Sequence, residues 1–375
     1  MTAMNILFVS NVLPRNYIGL SWSVPASVLA QMKYDNVMWI NSNKDTLEHW
    51  HDVPCFHKVE EYGGLTLENF PEPFNHPDVV IFEGFYNDIK EVFLANQLKK
   101  RRIPYVIVPR SALTYQAYHN HAWLKKKIAH LIFYNRFIKN SLSIQYLTEQ
   151  EKIDSEKVFH HSSFIIPNGF STPKIFKTDF NKDSIKAIFI GRLTTYQKGI
   201  DVLIPALGRI KSELKEANFS LDIYGPFHQE TENIRDLIHS LSLDDIVLLK
   251  GEIRGKEKET VINNADLFVL TSRFEGHPMG LIEALAYGLP CIVTPGTNML
   301  AEVKKYDAGW TTELDEESVS RAFLEIINHK SEFLNKSVNA RELASLYNWD
   351  RIALKMHETL NSLLKTEPTL KRSIF

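Results

Sequence analysis

Short runs of apolar residues alternate along this chain with longer stretches in which apolar positions recur every three or four residues. The runs NILFVS, NVMWI, DVVIFEG, YVIVP and SIQYLT occupy the first half, and KAIFIGR, FSLDIYG, DIVLLKG, ADLFVLTS and PCIVTPG the second. Runs this uniformly apolar predict strands buried on both faces, hence parallel sheets covered by the helices between them. Two such series predict an α/β protein of two doubly wound, Rossmann-like domains. The stretch STPKIFKTDFNKD, Ser171 to Asp183, is polar, has no clear period and precedes a new strand, so the boundary falls there. The predicted division is a first domain over 1–170, a linker over 171–184, a second domain over 185–346, and a closing helix over 347–375 that returns to the first. Ligands of open α/β sheets sit beyond the carboxyl ends of the strands, so a cleft between facing domains is the expected site.

Composition narrows the class without changing this picture. A chain of 375 residues, 44% hydrophobic and 23% charged, has room for two cores and is neither fibrous nor disordered. Cys55 and Cys291 offer no disulfide framework and fit a reducing compartment. The opening NILFVS reads as a first strand rather than a signal peptide, and no apolar stretch reaches the 18 or so residues that span a bilayer. A cytoplasmic protein is expected.

The net charge of −2 conceals an asymmetry: between Glu91 and Glu149 there is no acidic residue, while ten Lys or Arg occur there. Within that block WLKKKIAHLIFYNRFIKN, Trp123 to Asn140, interleaves apolar and basic residues at roughly helical spacing, as in helices that lie on anionic membranes. A solvated basic face over an ordinary core contact fits the same pattern. A peripheral contact with the inner membrane face through 99–140 is the expectation. Nucleic acid is not expected as a partner, because zinc-finger spacings, a basic zipper and RNA-binding aromatic signatures are all missing from the sequence.

Candidate chemistry begins with FEGHPMGLIEALAYGLP, Phe274 to Pro290. Pro278 suits a first helical turn, and Gly288 followed by Pro290 is a stop signal, so Glu283 should ride a short helix and Glu275 the loop before it. Two turns of helix would separate positions eight apart by roughly 12 Å, too far for a shared proton. Unpaired backbone N–H groups at Met279, Gly280 and Leu281 would instead make an anion site flanked by two carboxylates, suited to a phosphorylated sugar. A capped helix packed under a sheet with two solvated glutamates fits the segment equally. In KAIFIGRLTTYQKGIDVLIPAL, Arg192 and Lys198 stand six apart across a strand-to-helix loop, where they could clamp a diphosphate or decorate a basic turn.

Together, GRLTTYQKG and FEGHPMGLIEALAYGLPCIVT resemble the donor half of the family 4 glycosyltransferases, retaining enzymes of the GT-B fold, with IPNG, DIYGP, LKGEI and ADLFVLTS in matching order. The resemblance covers most of the second half of the chain; the first half matches loosely. It implies that Arg192 and Lys198 bind the donor diphosphate and balance charge on the leaving group, that Glu283 binds the ribose hydroxyls, and that Glu275 lies by the donor sugar. It further implies that Met279, Gly280 and Leu281 seat sugar and phosphate, and that the neighbourhood of Ile253 carries the base. Gly19 resembles the small residue through which the first domain approaches the phosphates, although YIGLSWSV holds one glycine where the family often has two. IVPRSAL puts Arg110 where the family commonly has a histidine, open to donor or acceptor but unsuited as a proton shuttle. TEQE, Thr148 to Glu151, resembles a cleft signature and also reads as a plain helix cap.

The expected function is transfer of a sugar from a nucleotide diphosphate sugar to a glycan or lipid-linked hydroxyl. No cofactor and no metal are expected: the chain holds no Asp-x-Asp, and fixed cations would take the ion's place. HWHDVPCFH, His49 to His57, lacks a recognised ligand spacing. His119, His121, His160 and His161 read as surface or cleft residues. Neither a Gly-Lys-Ser/Thr phosphate loop nor Gly-x-Gly-x-x-Gly occurs, against an ATPase or a dehydrogenase. The competing expectations are a non-catalytic sugar-binding partner subunit on the same fold, and a nucleotide-sugar epimerase or sucrose-forming transferase.

Overall fold

In the computed structural model, which describes residues 2–14, 19–86, 88–119, 123–180 and 183–372, the apolar runs form strands of two parallel sheets. His121, and parts of the basic block and of the 171–184 segment, lie outside the described residues. Two units result, Met1–Gly169 with Trp349–Phe375, and Phe170–Asn348.

The first unit carries β1 (Asn5–Ser10), β2 (Asn36–Asn41), β3 (Phe56–Lys58), β4 (Val79–Glu83), β5 (Tyr105–Val108), β6 (Ser143–Tyr146) and β7 (Ser163–Ile165) in the order β3-β2-β1-β4-β5-β6-β7. Successive residues of one strand enter opposite cores. Leu7 and Val9 of β1 pack on one side with Val80 and Phe82 of β4, and Ile6 and Phe8 pack on the other with Val79 and Ile81. Burial on both faces is why these runs are uniformly apolar instead of alternating.

The helix Trp349–Arg372 belongs to this unit and packs on the helix Leu20–Gln31. Ile352, Ala353, Met356 and Leu360 supply its apolar face. Its polar anchor is His357, whose Nδ1 lies 2.8 Å from Asp35 Oδ1, both side chains being buried.

The segment from Trp123 to Asn140 is helical with two apolar faces. His130, Tyr134, Phe137 and Ile138 point inward, while Leu124, Ile128, Leu131 and Ile132 are exposed, Leu131 by 79%. A π-helical turn, His130–Tyr134, sits at the centre and turns His130 into an aromatic cluster, where Tyr86 donates its hydroxyl proton to His130 Nε2. Burial depresses the imidazole pKa to about 4. The unfolded imidazole takes up a proton near pH 6.5 and the folded one does not, so this residue removes stability as the pH falls from about 6.5 towards 4, and none above. Urea midpoints at pH 7 and 4.5 should therefore differ less for His130→Gln than for the unsubstituted protein.

The second unit carries β8 (Ile185–Ile190), β9 (Phe219–Tyr224), β10 (Val247–Gly251), β11 (Leu267–Leu270), β12 (Cys291–Val293) and β13 (Gly309–Thr311) in the order β10-β9-β8-β11-β12-β13. Residues 171–180 run along this unit: the Lys177 N–H donates to Tyr287 O at 2.8 Å, and Lys177 Nζ lies 2.8 Å from Asp266 Oδ1.

Candidate functional site

In the second sheet the chain winds outward in both directions from the neighbours β8 and β11. The carboxyl ends of two such strands, where the winding reverses, are the usual ligand position in such sheets. Arg192 and Lys198 lie in the loop and short helix after β8, and Glu275 in the loop after β11. Gly199 brings the two loops together. It has φ +66°, and a Cβ on it would lie 2.0 Å from the Thr271 carbonyl oxygen, so both conformation and space exclude any other residue.

That contact sets Lys198 against Glu275. Lys198 Nζ is 2.5 Å from Glu275 Oε1, with the side chains 11% and 9% exposed. The Ser272 hydroxyl donates to the same oxygen at 2.5 Å, and Asn298 Nδ2 donates to the Glu275 carbonyl at 2.5 Å. Glu275 Oε2 accepts no hydrogen bond from the described residues. Arg192 is exposed, its Nη2 3.5 Å from Gln197 Oε1, and Gln197 Nε2 in turn donates to the Phe274 carbonyl at 3.3 Å. Beneath them Arg273 grips Asp201 through both terminal nitrogens at 2.6 and 2.8 Å and stacks on the Tyr196 ring at 4.2 Å.

Glu283 rides the helix Met279–Ala286, as its flanking signals predict, and its Oε2 is held by Lys258 Nζ from the helix Gly255–Asn264. Its Oε1 accepts nothing from the described residues. Each glutamate is thus gripped by a lysine through one oxygen and leaves the other for a hydroxyl donor. The helix start lies against the end of β8, since a Cβ on Gly280 would stand 3.1 Å from the Ile190 carbonyl.

The expected row of unpaired N–H groups is corrected. The Met279 N–H donates to His277 O at 2.9 Å and the Leu281 N–H to Pro278 O at 3.0 Å, because Pro278 caps the helix and the first turn closes on itself. Gly280 keeps an N–H without a partner among the described residues. Ile253, just past β10, is 9% exposed and packs in the apolar core. An exposed aromatic near that edge is Phe227, whose ring lies 3.7 Å from where a Gly251 Cβ would be. Lys258, Ser272, Asn298 and Phe227 were not legible as site residues. Phe227 carried a signal, an aromatic directly after the strand end DIYGP; the others act from separate elements.

Gly19 and Arg110 belong to the first unit. Gly19 caps the helix Leu20–Gln31 with φ −56°, and a Cβ there would meet nothing within 4 Å. Arg110, at φ +53°, is engaged inside its unit: Nε and Nη2 lie 2.9 and 2.8 Å from Glu83 Oε2, and Nη1 donates to Asn168 Oδ1. Its guanidinium ties the ends of β4 and β5 to the segment before Gly169. TEQE works as a cap: Thr148 Oγ1 accepts from the Glu151 N–H at 3.1 Å, and the Glu151 carboxylate accepts from Ser111 N at 2.5 Å and Leu147 N at 2.7 Å. Burial nonetheless raises the Glu151 pKa.

The residues of HWHDVPCFH disperse. His49 stacks on Trp22, His51 Nε2 lies 3.0 Å from Thr46 Oγ1, His57 lies beside Glu61, and burial pushes the Cys55 thiol up to about 12. Among the described residues no group of three or more His, Cys, Asp or Glu is placed to hold a metal ion. His119 Nδ1 and His161 Nε2 make local contacts with the carbonyls of Tyr115 and Ser141, and His160 is exposed.

Residues 171–343 match the family model described as glycosyl transferases group 1. The second unit is a glycosyl transferases group 1 domain. The chain is 27% identical over 197 residues to mannosylfructose-phosphate synthase of Agrobacterium fabrum, covering 51% of this chain and 43% of that protein. It is 26% identical over 184 residues to the putative colanic acid biosynthesis glycosyltransferase WcaL of Escherichia coli, covering 43% of this chain and 44% of WcaL. The matches thus span less than half the length of these relatives. In fold the likeness is broader. HepE of Anabaena, solved in complex with UDP and glucose, superposes with a TM-score of 0.71 at 17% identity, covering 96% of this chain and 100% of that one. Sucrose-phosphate synthase of Thermosynechococcus elongatus superposes with a TM-score of 0.72 at 17% identity, covering 96% and 99%. With two Rossmann-like sheets, the fold is GT-B. The glycosyl transferases group 1 domain holds all the candidate site residues except Gly19 and Arg110.

Proposed function

We propose that this protein transfers a sugar from a nucleotide diphosphate sugar to a hydroxyl of a glycan or lipid-linked acceptor, with retention at the anomeric carbon and without a divalent ion. The observation that carries this reading is the meeting of Lys198 with Glu275 beside Arg192, at the strand ends where Glu283 also opens one carboxylate oxygen. Arg192 and Lys198 would receive the diphosphate, Glu275 Oε2 a hydroxyl of the donor sugar, and Glu283 Oε1 the ribose. The anomeric carbon–phosphate oxygen bond breaks as the bond to the acceptor oxygen forms. The acceptor proton passes to a phosphate oxygen of the leaving group. Preorganised cations aimed at that developing charge would be the main catalytic term. Phe227 offers the base a stacking face near Ile253.

A thermal-shift screen against UDP, GDP, ADP and their sugars, with and without EDTA, tests the donor half. One nucleotide series should raise the melting temperature equally in both conditions. Nucleoside diphosphate release that needs an added lipid or glycan extract supports transfer. Binding without release in any extract supports the partner-subunit reading, and absence of any nucleotide response removes the proposal.

The exposed face of Leu124, Ile128, Leu131 and Ile132, bordered by the exposed Lys125 and Lys127, supports a lipid-linked acceptor met at an anionic membrane. Among the described residues no helix is long and apolar enough to cross a membrane. Co-sedimentation at physiological salt should favour anionic over neutral vesicles, and the preference should vanish in Lys125→Glu/Lys127→Glu. Equal recovery with both vesicle types, unchanged by the charge reversal, would remove this idea.

A further inference from the structure

The turn Pro295–Thr297 follows β12, with Thr294 and Asn298 at its two ends, and it runs against the loop that carries Glu275. Alternate residues of the turn meet the backbone of that loop. Thr294, fully buried, donates its hydroxyl to the Ser272 carbonyl at 2.8 Å. Gly296 comes so close that a Cβ on it would stand 2.2 Å from the Arg273 carbonyl oxygen. Asn298 completes the row, its Nδ2 donating to the Glu275 carbonyl at 2.5 Å and reaching the Gly276 carbonyl at 3.4 Å. Carbonyls can only accept, so the amide is fixed with its NH2 group towards the loop. Asn298 has φ +59°, a left-handed conformation that asparagine tolerates better than most residues other than glycine.

We infer that Asn298 is a positioning residue for Glu275 and so governs how well the site holds the sugar of a nucleotide diphosphate sugar, a deepening that rests on the proposed donor site. Lys198 and Ser272 hold the carboxylate through Oε1, and Asn298 holds the backbone of the same residue. Glu275 is thereby fixed at both ends, and Oε2 stands in one place. An acceptor held in advance takes a sugar hydroxyl with little further ordering, whereas one on a loose loop pays for that ordering when the ligand binds. Asn298 acts through Glu275 and not by touching the ligand. The diphosphate, received by Arg192 and Lys198, does not depend on it.

Calorimetric titration of the full chain tests this with UDP, GDP and ADP and with their hexose conjugates. Asn298→Gly, which keeps the left-handed backbone and removes the amide, should weaken the best conjugate about tenfold and leave its nucleoside diphosphate within about twofold. Its melting temperature should stay within about 3 °C, because glycine suits that conformation. Asn298→Asp, with the same shape and no donor, should reproduce the loss of conjugate affinity. Glu275→Ala should weaken the conjugate as well, and adding Asn298→Gly to it should cost nothing further, since two changes acting through one residue do not add. Unchanged conjugate affinity in both Asn298 variants, or the same tenfold loss again on top of Glu275→Ala, overturns the inference. Conjugate binding that needs Asn298 in a protein that releases no nucleoside diphosphate in any extract removes sugar transfer and keeps the positioning role. Release by a protein whose conjugate affinity ignores Asn298 does the reverse, and binding of no nucleotide or conjugate overturns both.

Discussion

Lys198→Ala should lower the rate of nucleoside diphosphate release by about 10²- to 10³-fold, the loss expected when one preorganised group facing developing negative charge is removed. The geometry gives the substitution a second effect. Lys198 and Glu275 are almost enclosed, so deleting the ammonium leaves a carboxylate held by Ser272 alone, and an unpaired charge in such a place is costly. Weaker diphosphate binding should therefore come with some loss of stability. Glu275→Ala provides the contrast: turnover falls at least about tenfold, while nucleotide binding survives because Lys198 is released towards the phosphates. Calorimetric Kd values for the nucleotide, set beside kcat for release, separate the two. Full activity in both variants would mean that the meeting of these side chains is merely structural.

Gly199→Ala should be among the most destabilising single methyl additions in the second unit. The new Cβ would overlap the Thr271 carbonyl oxygen at 2.0 Å in a left-handed backbone, and backbone cannot step aside as a flexible side chain can. Overpacking and the left-handed penalty together cost about 3 kcal/mol, a fall of roughly 6–12 °C in Tm for a unit of this size. Gly19→Ala is the control. Its φ is −56° and its surroundings are open, so stability should move by no more than about 1 kcal/mol. A loss of activity in Gly19→Ala at full stability would then report on ligand approach. A melting temperature unchanged in Gly199→Ala would contradict the tight joining of the loops after β8 and β11.

Runs such as β5, β11 and β12 were legible because those strands are buried on both faces, where side chains are drawn from one apolar set. The strands that escaped, β3, β7 and β13, are three-residue strands at sheet edges. Three residues are too few to set a period, and β3 and β7 are only half-buried, so neither needs a continuous apolar run. The basic block shows the same limit: its interleaved pattern predicts a helix but cannot say that it has two apolar faces, one of them outward.

Local order alone decided that Glu283 rides a short helix stopped before Pro290, that Glu275 precedes it, and that Arg192 and Lys198 flank one loop, because caps, turns and periodicity act over a few residues. What Lys198, Glu283 and Arg110 hold was decided by the tertiary structure. Their partners Glu275, Lys258 and Glu83 are 77, 25 and 27 positions away, brought in by strand order and by the loop contact at Gly199. A charge's nearest opposite is set by which strand ends lie side by side, and that follows from packing two faces of a sheet at once.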